Sequence, residues 1–107
     1  MAWVYLLIAG MLEWGWPVGL KLAWKNGAFS LWPAIGAALS MTASGFFLFL
    51  AQRTLPIGTA YAIWTGIGAV GTFTLGILIF KEPATAARMA CVGLILAGIL
   101  GLKLSSD

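Results

Sequence analysis

Four apolar blocks organise the chain, at residues 3–20, 29–52, 54–80 and 89–102, and every charged side chain but Glu13 falls outside them. The second and third blocks hold no charge at all. The fourth follows Arg88, whose long stem can carry its charge back to a membrane interface. With their flanks, the blocks approach the ~20 residues that cross a hydrocarbon core of ~30 Å. In lipid, every backbone N–H and C=O must be satisfied within the protein, so such blocks predict helices. A barrel strand would alternate apolar and polar positions, and Phe46-Phe47-Leu48-Phe49-Leu50 does not. The pattern places helices at about residues 2–21, 31–52, 58–80 and 85–103. Between them lie breakers: Lys25-Asn26-Gly27, Arg53-Thr54-Leu55-Pro56 and Lys81-Glu82-Pro83, with Thr85 suited to cap the last helix. Links this short make successive helices antiparallel neighbours. The predicted fold is an all-α membrane protein, one domain over residues 1–107 built of four transmembrane helices.

Composition narrows the function classes. The 107 residues are 62% hydrophobic and 8% charged, with no histidine, too little polar surface for a soluble domain. A cleaved signal peptide fits poorly: the first block lacks a basic start and carries Glu13 within it. Cys91 has no second cysteine with which to form a bridge. The net charge of +3 comes from singly scattered basic residues, which speaks against a nucleic-acid partner. No Gly-rich phosphate loop, metal-ligand cluster or catalytic triad is present, so neither an enzyme, a cofactor nor a metal is expected. Lys21, Lys25, Lys81 and Arg88 fall on one side of the bilayer, Arg53, Lys103 and the N-terminus on the other. That bias favours the first and third loops inside only weakly and leaves insertion in both orientations open. The two halves of the chain do not resemble each other. The symmetry that transporters draw from inverted repeats is then open to an inverted second copy, an antiparallel, dual-topology homodimer.

One position stands apart from this apolar background. Glu13 lies near the middle of the first block, where a bare charge costs about 2.5–3.5 kcal/mol or more. A carboxyl at that depth can alternate between holding a proton and holding a cation. Trp16, one turn on, offers an indole N–H to the acid and a π face to a cation. Trp3, Trp24 and Trp32 read as interface anchors; Trp14 stands between a lipid-facing residue and a site residue. In the third predicted helix, Tyr61, Trp64 and Gly68 share one face. Gly66, Gly68 and Gly71 provide either a hinge or close helix packing. Ser40, Thr42 and Ser44 are hydroxyls that either bond back to their own helix or orient the acid. Gly93, Ala97 and Gly101 form a small-residue stripe suited to dimer packing.

The run Leu55-Pro56-Ile57-Gly58-Thr59-Ala60-Tyr61-Ala62-Ile63-Trp64-Thr65-Gly66-Ile67-Gly68 resembles the small multidrug resistance transporters. So do Gly19-Leu20-Lys21, Lys81-Glu82 and Gly98-Ile99-Leu100-Gly101-Leu102-Lys103. Trp16 makes the chain similar to the guanidinium-exporter branch, because exporters of polyaromatic cations typically carry glycine there. The resemblance implies Glu13 as the shared proton and substrate site, surrounded by Trp16, Ser44, Tyr61 and Trp64. It also implies an antiparallel homodimer in the bacterial inner membrane that exchanges protons for guanidinium. Trp14-Gly15 departs from the family, which more usually has an apolar pair after the acid. A broader exporter of quaternary ammonium and other multidrug cations, a passive cation channel and a non-transporting accessory protein are the alternatives.

Overall fold

In the computed structural model, which describes residues 1–106, the chain forms α1 (Ala2–Leu12), α2 (Gly15–Ala23), β1 (Trp24–Lys25), β2 (Ala28–Phe29), α3 (Leu31–Gln52), α4 (Ile57–Phe80) and α5 (Ala86–Ser106). The first predicted helix, residues 2–21, is corrected to two pieces that part at Glu13 and Trp14. Pro17 supplies a physical reason. It has no N–H to donate to the Glu13 carbonyl four residues back, and its ring crowds that turn. Trp14 N–H bonds instead to the Met11 carbonyl at 3.2 Å, a tighter turn, and the Val18 N–H reaches Trp14 at a long 3.5 Å. Both residues at the break keep right-handed helical dihedrals, so the chain does not reverse there.

The link after α2 is a small antiparallel ribbon that pairs Trp24 with Phe29 and Lys25 with Ala28. Its two-residue turn has Asn26 at φ 56° and Gly27 at φ 76°. Positive φ at both central positions is what a tight hairpin requires, and Asn-Gly meets it at the least steric cost. At the far end of α4, Lys81 takes a left-handed conformation, and the Glu82 N–H closes the helix on the Gly76 carbonyl at 3.1 Å.

α3, α4 and α5 are each long and apolar enough to cross a membrane. α3 packs along both α1 and α2, α4 lies beside α1, and α5 rests chiefly on α4. These contacts run through small residues. Ala9, Gly10, Gly19, Ala37, Ala51, Ala60, Gly66 and Gly68 are buried, whereas Leu39, Phe46, Phe49, Leu78 and Leu94 point outward. In water such an arrangement would promote aggregation; in lipid it is the expected one, because backbones gain contact by close approach and hydrocarbon solvates the large side chains. Among the described residues, Leu6 is the one large side chain that is fully buried, and with Ala51, Ala60 and Ile63 it forms the core at one end.

The molecule measures 47 × 34 × 16 Å along its principal axes. Packed helices lie about 8–10 Å apart, so the thin dimension has room for two layers of helix and no more.

Candidate functional site

Three glycines make the site possible. α1 lies against α4, and a Cβ placed on Gly10 would come within 2.5 Å of Ile67. One turn further along, a Cβ on Gly68 would come within 2.6 Å of the Glu13 Cγ. At Gly71 a Cβ would overlap the Trp14 indole ring. Glu13 and Trp14, adjacent at the helix break, thus lie in two successive notches on one face of α4.

The acid is half-buried and is approached by polar groups of two elements, with a third behind them. The Trp16 Nε1–H, at the start of α2, donates to Glu13 Oε1 at 2.7 Å. Ser44, fully buried on α3, donates to the Ala9 carbonyl of α1 at 2.7 Å and lies 3.5 Å from Glu13 Oε1. The Trp64 Nε1–H of α4 donates to the Ser44 hydroxyl at 2.9 Å. A chain of donors therefore runs from Trp64 through Ser44 to the Ala9 carbonyl, and it passes beside the acid. Tyr61 enters one step further out, its ring packed against Trp64 with centroids 5.3 Å apart. The break in the first segment matters here. It places Trp16 at the head of a new helix while Glu13 still ends the old one, and the indole N–H turns back onto the carboxylate.

Beside Glu13 an open cleft of about 240 Å³ is lined by Trp16, Pro17, Thr65, Gly68, Ala69 and Thr72. Apart from the acid, its polar groups are hydroxyls and an indole, so it offers a small cation one full negative charge and an aromatic wall. A second groove, lined by Trp3, Leu6, Ile63, Ile67 and Ile99 among others, lies toward the other end and offers no carboxylate.

The other candidate residues separate clearly by position. Thr42 bonds back to the Ala38 carbonyl of its own helix at 2.9 Å, whereas Ser44 turns away from its own helix. In this conformation α4 is unbroken from Ile57 to Phe80. Gly66 receives Ile99 of α5, Gly68 receives Glu13 and Gly71 receives Trp14, so all three serve close packing. Gly93, Ala97 and Gly101 lie exposed on α5, and a Cβ on either glycine would meet nothing within 4 Å. Trp14 is not a lipid-facing anchor: its Nε1–H donates to the Ile67 carbonyl at 2.9 Å. Thr65 and Thr72 also border the cleft without having been singled out by their sequence pattern, since a threonine in an apolar helix usually bonds its own backbone.

Residues 1–95 match the family described as Small Multidrug Resistance protein. The chain belongs to that family. Its relatives cover it from end to end. A guanidinium exporter of Yersinia pseudotuberculosis is 55% identical over 106 residues, 99% of this chain and 100% of its own length. Guanidinium exporters of Citrobacter freundii and Salmonella typhimurium are 53% identical over 106 residues, 99% of each chain. Within the small multidrug resistance family the chain therefore sides with the guanidinium-exporter subtype. Members of this family are transporters and not enzymes, and the chain is a multi-pass membrane protein of the bacterial inner-membrane kind.

Proposed function

We propose that this protein exchanges guanidinium for protons across the membrane by alternating access. The observation that carries this reading is the Glu13 carboxylate, held at 2.7 Å by Trp16 in an open cleft midway along the first membrane segment. Guanidinium is planar and presents paired N–H donors that fit a carboxylate in a two-pronged grip. Proton and cation compete for the same oxygens, so either one excludes the other. If the empty, ionised site does not change sides, each cation leaving must be matched by protons entering.

α1 and α2 together make the fourth span. Residues 2–23 rise about 33 Å at helical pitch, enough for a hydrocarbon core of about 30 Å. The working unit is an antiparallel homodimer. Glu13 is only half-buried and its cleft stands open in a single chain, and α5 leaves the stripe of Gly93, Ala97 and Gly101 open for another helix. An inverted copy would bring a second Glu13 to the first and cover the cleft. Both carboxylates would then serve one cation or its equivalent in protons.

The test is transport in liposomes that contain only this protein. A guanidinium gradient should drive proton movement, and a proton gradient should drive guanidinium uptake. Transport confined to large aromatic cations would overturn the choice of substrate. Guanidinium flux that moves no protons would overturn exchange in favour of a channel. A subsidiary prediction concerns the nearest donor. Trp16→Phe keeps the ring but removes the N–H, and hydrogen bonds to charged groups contribute about 1.5–3 kcal/mol. The guanidinium KM should rise roughly tenfold or more, read from initial rates of uptake.

A further inference from the structure

The break between α1 and α2 creates a problem for the residue it carries. Glu13 is no longer held by regular helix on its C-terminal side, where the next backbone bond, from Val18 to Trp14, is stretched to 3.5 Å. An acid placed at a loosened turn needs support if its Oε1 is to keep the 2.7 Å contact with Trp16. Something outside the α1 and α2 backbone must hold the turn.

Trp14 is in the right place to do so. Its Nε1–H donates to the Ile67 carbonyl, in the middle of α4. That carbonyl already serves its own helix, and its second lone pair is free to accept the indole. The ring fills the notch at Gly71 so closely that a Cβ there would overlap it. The two neighbouring contacts are therefore linked: Trp14 seated at Gly71 sets where Glu13 lies against Gly68, three residues earlier on the same face of α4. Trp14 does not line the Glu13 cleft. It borders a separate cleft with Met11, Gly15 and Ser40, behind the acid. It has no path to a cation except through its neighbour.

We propose that Trp14 is the positioning residue for Glu13: its indole, bonded to the Ile67 carbonyl and seated in the Gly71 notch, fixes the depth and direction of the carboxylate and so sets the affinity for the cation. This rests on Glu13 being the exchange carboxylate. Gly71 is required because Trp14 is present, and the two act as a pair.

Liposome uptake of guanidinium, with KM and maximal rate measured separately, tests the pair through Trp14→Phe, Trp14→Val, Gly71→Ala and the double variant Trp14→Val with Gly71→Ala. Trp14→Phe keeps a ring but loses the donor. It is expected to raise KM roughly 3- to 10-fold, by more than it lowers the maximal rate. Gly71→Ala should raise KM comparably, because it evicts the ring. With Trp14→Val already present, adding Gly71→Ala should change KM by less than about twofold, since the ring it would displace is gone. A merely structural role would reduce the yield of folded protein and the maximal rate and leave KM alone, and that pattern in Trp14→Phe overturns the proposal. It is equally overturned if the Trp14→Val and Gly71→Ala effects multiply. Should Trp14→Val fail to fold, the KM values of Trp14→Phe and Gly71→Ala decide. The wild-type protein, run in the same vesicles, separates the two ideas. If it exchanges guanidinium and the variants behave like it, only the role of Trp14 falls; if it does not exchange, the reading of Glu13 falls first.

Discussion

Glu13→Gln is expected to abolish proton-coupled guanidinium exchange while leaving the fold intact. The substitution preserves shape, and the glutamine Oε1 can still accept the Trp16 N–H now found at 2.7 Å. In the proposed exchange, what it removes is the charge for the cation and the site for the proton. Removing one partner of a desolvated charge pair costs about 3–5 kcal/mol, and each ~1.4 kcal/mol is tenfold in affinity. Guanidinium binding should therefore weaken at least 100-fold on that scale, and uptake driven by a proton gradient should fall to the level of empty vesicles. Helical content by circular dichroism and elution as a single species report on folding. Substantial coupled turnover in the variant would refute the exchange role of Glu13, and a flux that persists without coupling would point to a channel.

The second large effect is expected at a residue with no side chain. Gly68→Ala would set a Cβ 2.6 Å from Glu13 Cγ and 3.2 Å from its Cβ. No single rotation of the acid clears both contacts, so α1 must move off α4 or the carboxylate must leave its position against Trp16. Overpacking of this kind costs about 1–3 kcal/mol. The guanidinium KM should rise by one to two orders of magnitude, roughly as those energies convert, with a lower unfolding temperature in detergent. Gly58→Ala on the same helix is the matched control. A Cβ there meets nothing within 4 Å, and alanine favours helix over glycine, so binding and stability should stay near wild type. Equal losses in both variants would show that general helix flexibility, and not the Gly68 notch, is what matters.

Much of the fold was legible because lipid simplifies the code. Long charge-free blocks mark α3 and α4, and polar breakers mark where they stop. The break at Glu13 and Trp14 was less so, although its cause lies in plain view. Pro17 falls four residues after Glu13, but an apolar block long enough to span invites a single helix, and block length outweighed the missing N–H. The ribbon at Asn26-Gly27 carried a strong turn signal, and what hid it was the shortness of its strands, two residues each. In the site, the spacing of Glu13 and Trp16 within one turn already implied their contact. Ser44 was different. Ser40, Thr42 and Ser44 are equivalent until the rotation of α3 against α1 is known, and family resemblance, not spacing, singled out Ser44. Trp14 lay beyond sequence reasoning because its partner is a backbone carbonyl 53 residues away, which no side-chain pattern announces.

Ser44 has one further property that follows from its valence. A hydroxyl carries a single proton, and two oxygens lie before it: the Ala9 carbonyl at 2.7 Å and Glu13 Oε1 at 3.5 Å. It cannot serve both, and here the carbonyl has it. Trp64, donating at 2.9 Å, occupies one lone pair and leaves the O–H free to turn. Rotation about one bond aims the donor at the carboxylate instead of the backbone, across a gap that must still close from 3.5 Å. The serine is thus a donor poised between backbone and acid, and a small approach of α3 to α1 decides which of the two receives it.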